Sequence, residues 1–154
     1  MHKIKTILFI TTILLLINSF AFAASSVTQS HYKHGDMNVL VIEWVADTDG
    51  SFTSFTTRTI DGVVGVVETD PGSTAPTAAY DITLKNSGGV DIMGGKLGDR
   101  SATATETEIP YNSNESVHLT YPVRGPLTLA ISNNSVNSAT GTVTIYFFTG
   151  EDSN

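Results

Sequence analysis

Residues 39–45, VLVIEWV, place Leu40, Ile42 and Trp44 on one face of an extended segment and Val39, Val41 and Val45 on the other, with Glu43 the single charged position. Side chains alternate sides along a strand, so two apolar faces predict a central strand covered on both sides, or partly covered by a neighbouring subunit. Cleaner alternation follows elsewhere. Tyr80, Ile82 and Leu84 interleave with Asp81, Thr83 and Lys85, and Val117, Leu119 and Tyr121 share one face. The same holds for Leu127, Leu129 and Ile131, and for Val143, Ile145 and Phe147. No window carries a 3.6-residue apolar period over three turns, so the chain reads as strands.

Turn chemistry separates these strands. Asp47-Thr48-Asp49-Gly50 closes the first, and Asp61-Gly62 predicts a hairpin between a Thr-rich strand over 52–60 and the apolar run 63–67. Residues 70–76 form a loop, Asn86-Ser87-Gly88-Gly89 ends a strand, 90–93 opens a short one, and 94–114 is loop-like. Seven to eight short, mainly antiparallel strands predict an all-β fold, a two-layer β-sandwich or jelly roll.

The N-terminus breaks this pattern. Lys3 and Lys5 precede an apolar run over 7–17, and Ala21-Phe22-Ala23 follows. A basic start, a short apolar centre and a small-x-small end make a secretory signal peptide over 1–23, cleaved after Ala23 or one residue later. The apolar run is shorter than the roughly 20 residues a membrane-spanning helix needs, so no membrane span is expected after cleavage. Lipid attachment is excluded because the chain has no cysteine. Residues 24–37 read as a flexible arm, or as an edge strand donated to a neighbour; 38–150 form a single β-sandwich domain, and 151–154 an acidic tail. The expected location is secreted, periplasmic or at the cell surface.

Charge narrows the partners. The leader carries two of the eight basic residues and none of the fifteen acidic ones, which leaves six against fifteen, a net −9 for residues 24–154. Such a surface repels phosphate backbones, and no Lys/Arg cluster offsets it, so no nucleic acid is expected as partner.

Candidate chemistry is sparse. Asp47 and Asp49, two residues apart, suit a hard cation such as calcium, with Asp61, Glu68 and Asp70 as further donors. The rest of an EF-hand loop is missing, and Asp-x-Asp-Gly is also ordinary turn sequence. His31 and His34 lack further zinc donors. His118 with an Asp and any of the fourteen serines of residues 24–154 could be drawn as a triad, but no Gly-x-Ser-x-Gly elbow supports it. Glu106 and Glu108 sit in a polar run with nothing to mark them as a glycosidase pair. Residues 94–100, GGKLGDR, lack the Walker order; Arg100 reads instead as a buried or half-buried partner of Asp91 or Asp99. Trp44 alternates in phase with the core, whereas Tyr111 and Phe55 are freer to line a sugar platform. The residues therefore predict no enzyme, no catalytic, cofactor-binding or metal site, and no cofactor.

Two stretches carry a resemblance. Residues 76–110, PTAAYDITLKNSGGVDIMGGKLGDRSATATETEIP, and 125–147, GPLTLAISNNSVNSATGTVTIYF, resemble small uncharacterised all-β proteins encoded among bacteriophage and prophage virion genes. The resemblance implies a β-rich virion or assembly component with no functional residues to transfer, and a virion as the alternative location. With no catalytic motif in the residues, the resemblance implies a non-catalytic structural or assembly subunit, partnered by itself or by a larger protein assembly. The alternative is a secreted or cell-surface binding module for a glycan or another surface ligand.

Overall fold

In the computed structural model, which describes residues 24–112 and 114–149, the strands β1 (Ser26–His34), β2 (Met37–Val45), β11 (Thr140–Phe148) and β4 (Ile60–Pro71) lie side by side in that order. The far edge of β4 is shared: β9 (Tyr121–Gly125) pairs with its first half and β6 (Glu106–Glu108) with its second. A second sheet packs across this one, in the order β3 (Phe55–Thr56), β10 (Thr128–Ser132), β5 (Asp81–Lys85). A small ribbon of β7 (Tyr111–Asn112) and β8 (Val117–His118) stands apart. All strand pairings among the described residues are antiparallel. The fold is all-β and consistent with a β-sandwich; eight strands have three residues or more, and the other three have two each. No helix of the described residues is long and apolar enough to cross a membrane.

The period-two pattern builds the core. Leu40, Ile42 and Trp44 of β2, Val143, Ile145 and Phe147 of β11, and Val64 and Val67 of β4 point inward from the large sheet. Ile82, Leu84, Leu129 and Ile131 meet them from the small one. The loop after β5 adds Ile92, Met93 and Leu97, all fully buried. Burying each of these side chains contributes about 1.5–3 kcal/mol against leaving it in water. Trp44 lies so close to Gly141 that a Cβ there would stand 2.6 Å from the indole ring, so the β2–β11 pair can close over the indole only with glycine opposite it.

Several local expectations are corrected. Residues 24–37 form no arm in this structure: Ser26–His34 is an edge strand of the chain's own sheet, in unbroken register with β2. A two-residue turn, Gly35-Asp36, makes the connection, and Gly35 takes the positive φ (61°) that a tight hairpin requires at its first central position. Asp61-Gly62 forms no hairpin either. β4 runs straight through it, because both residues pair with β9 and because Gly62 gives space to the main-chain carbonyl of Phe148. The strand expected over 52–60 shrinks to Phe55–Thr56, which pairs with Leu129 and Thr128 of β10. Thr57 still donates its N–H to the Leu127 carbonyl at 2.8 Å, while its hydroxyl accepts the buried Leu127 N–H at 2.9 Å. The strand expected over 90–93 reduces to one bridge at Asp91. The stretch around 117–121 splits at Leu119-Thr120, β8 joining β7 and β9 joining β4.

Candidate functional site

The acidic loop after β2 is a turn held by its own carboxylates. Asp47 accepts from the Thr48 amide at 2.6 Å, and Asp49 from the Ser51 amide at 2.9 Å. The Ser51 hydroxyl and amide hold the Asp49 carboxyl below its ordinary range. Among the described residues no three His, Asp or Glu side chains come together in a way that would hold a metal ion, so Asp61, Glu68 and Asp70 do not complete a calcium shell with this loop. His31 stacks on Phe147 at 5.8 Å and lies 3.2 Å from the Asn38 amide oxygen, while His34 is exposed at the hairpin. His118 packs against the Tyr111 ring at 5.0 Å, and among the described residues it makes no hydrogen bond to a serine or a carboxylate.

Arg100 is buried, as the chemistry of its loop suggests, but its partners are different. Its guanidinium donates twice to the Gly98 carbonyl at 3.2 Å and faces Glu106 and Glu108 at 3.7 and 3.6 Å. Asp91 is occupied elsewhere: its carboxylate accepts the amides of Leu84, Met93 and Gly95. Glu106 and Glu108 are therefore the far jaw of a clamp that ties the glycine-rich loop to the large sheet. The Tyr80 hydroxyl beside this clamp is pushed up to about 12, by burial first and then by the charge of Glu106.

Two surfaces remain. One is a cleft of about 360 Å³ between the loop after β5 and the β7–β8 ribbon, lined by Asp91, Tyr111, Asn112, Thr120 and Tyr121 among others. Tyr111 carries Lys96 over its ring at 4.5 Å, and the Tyr121 hydroxyl accepts from Asn86 at 3.3 Å. Phe55 is half-buried against the core and takes no part in this cleft.

The other is the outer face of the large sheet, and register sorts it into rows. Pro122, Val63, Phe148, Met37 and His34 stand opposite one another across five strands. The next row is Val66, Tyr146, Val39 and Tyr32. The two rows beyond hold Thr107, Glu68, Thr144, Val41 and Ser30, then Asp70, Thr142, Glu43 and Thr28. Half of the face is thus apolar and half is Thr-rich and acidic. Val39 is 1% exposed although it stands outside the core cluster, and Phe148 and Tyr32 beside it are 47% and 52% exposed. A groove of about 300 Å³ runs among Met37, Val66, Tyr146 and Phe148. The Tyr146 hydroxyl is shifted upward by burial, then by Glu68 and Tyr32. Sequence reasoning assigned only Val39, Val41 and Val45 to this face; the signal for the rest was Tyr146 and Phe148, out of phase with the core positions of β11. Compared with protein-family models and with curated proteins, the chain matches none.

Proposed function

We propose that this protein is a non-catalytic structural or assembly subunit that packs against copies of itself or a larger protein partner. The observation that carries the reading is the apolar half of the outer face, where Phe148, Tyr32, Met37 and Tyr146 gather on a sheet that no second layer covers from that side among the described residues. Contiguous exposed apolar surface of this kind marks interaction sites in soluble proteins. The resemblance of 76–110 and 125–147 to phage and prophage virion-gene proteins supports the same role. The N-terminal leader supports export, with the partner at the cell surface or beyond it. Size-exclusion chromatography with light scattering, on the chain beginning at Ala24, tests the reading. Association that rises with concentration is expected; a monomer at every concentration that also binds no component of a host particle or envelope overturns it.

A second reading is favoured by the cleft at Tyr111 and Tyr121, where aromatic rings lie beside amide and hydroxyl groups as in a saccharide-binding module. It predicts glycan-array binding that Tyr111→Ala abolishes while the fold persists. Array silence sinks this second reading.

A further inference from the structure

β1 is the open edge of the large sheet: among the described residues it pairs with β2 alone, and eight of its nine residues are exposed. Soluble proteins usually blunt such an edge with proline, a bulge, brevity or several charges. β1 has nine residues in regular register, no proline, and Lys33 as its one permanently charged side chain.

The hairpin decides which backbone groups face outward. With only Gly35 and Asp36 in the turn, His34 and Met37 form the closing, hydrogen-bonded pair. Even-numbered residues of β1 then bond to β2, and Val27, Gln29, His31 and Lys33 turn their N–H and C=O groups to the open side. Charge is also unevenly placed. β1 contains none of the chain's fifteen carboxylates, and His31, Lys33 and His34 all lie at its turn end. Its other end is bordered by Glu43, whose carboxylate leans toward the edge to accept from the Thr28 hydroxyl at 3.0 Å.

We propose that two copies of this chain join through β1, antiparallel and two-fold symmetric, with Ser30 on the axis, so that the two large sheets become one. This deepens the assembly reading and rests on it. Antiparallel pairing brings the turn end of each copy, where His34 lies on the outer face, to the Thr28–Glu43 end of the other, where Glu43 lies on the same face. Full overlap of nine residues places Ser30 on the axis and pairs Gln29 with His31 of the partner subunit through outward-facing backbone groups. A register centred on His31 would give only seven pairs and set two imidazoles opposite each other. In the Ser30 register even-numbered residues meet even-numbered ones, so both outer faces lie on the same side of the joined sheet.

Because the chain has no cysteine, a single thiol reports the register without interference. Directly opposed residues in a non-hydrogen-bonded pair stand about 4.5 Å apart at Cα, inside the range a disulfide bridges. In the chain beginning at Ala24, Ser30→Cys is expected to cross-link to dimer under mild oxidation. Thr28→Cys and Tyr32→Cys alone stay largely monomeric on denaturing gels, and an equimolar mixture of the two cross-links as a heterodimer. His34→Glu, which sets a carboxylate on the same face as the Thr28–Glu43 end of the other copy, is expected to weaken the dimer severalfold in light scattering, with the circular dichroism unchanged. If the chain associates but Ser30→Cys cross-links no faster than Thr28→Cys, the β1 contact is overturned and the assembly reading stands. A chain that stays monomeric throughout overturns both.

Discussion

Tyr80 shows how one buried side chain gives the fold a pH limit. Its phenol is 1% exposed and lies within the field of Glu106, so its pKa is raised from 10 to about 12. A folded-state pKa above the unfolded one means that the native state holds the proton longer. The resulting stability is fully present below pH 10 and is lost as pH rises toward 12. Tyr80→Phe is expected to flatten this alkaline loss, measured as urea midpoints at pH 9 and pH 11.5. A smaller slope remains from Tyr146, whose pKa is also raised. An unchanged slope in the variant would show that Tyr80 titrates normally.

At the scale of elements, the clamp around Arg100 explains how a loop with almost no strand of its own stays ordered. Gly98, Glu106 and Glu108 converge on one guanidinium, and Asp91 gathers three amides on the other side of the same loop. These contacts hold Ile92, Met93 and Leu97 in the core, where their burial returns what ordering the loop costs. Arg100→Met keeps the stem but removes the fork, and should cost about 2–3 kcal/mol of stability. Amide hydrogen exchange localises the effect: faster exchange is expected across 97–108, with β2 and β11 still protected. Uniform loss of protection would mean that the clamp supports the whole fold rather than this loop.

For the whole molecule, the edge and the face of the large sheet do different things. β1 offers backbone groups in one plane; Phe148, Tyr32, Met37 and Tyr146 offer apolar surface at right angles to it. Edge pairing alone closes at two copies, whereas a second contact through the outer face carries assembly further. Phe148→Glu is therefore expected to stop association at the dimer, read by light scattering, while leaving Ser30→Cys cross-linking intact. Loss of the dimer as well would mean that the apolar face, not the edge, forms the first contact.

The all-β class, the inward faces of β2, β5, β10 and β11, and the burial of Trp44 were all readable from alternation in the sequence. Alternation reports which side chains share a face, and apolar faces must be buried. It does not report which strands are neighbours. The straight run of β4 through Asp61-Gly62, the pairing of Ser26–His34 with β2, and the partners of Arg100 each depend on which strands become neighbours. Asp61-Gly62 suits a turn locally, and pairing with β9 and closeness to Phe148 override that preference. Glu106 and Glu108 lie near Arg100 in sequence, but only the pairing of β6 with β4 turns them toward it. The sequence by itself determined that strands would form and which sides they would bury. The tertiary structure decided the register, and register alone assembles Tyr32, Met37, Tyr146 and Phe148, drawn from three strands, into one apolar surface that no other described residues cover.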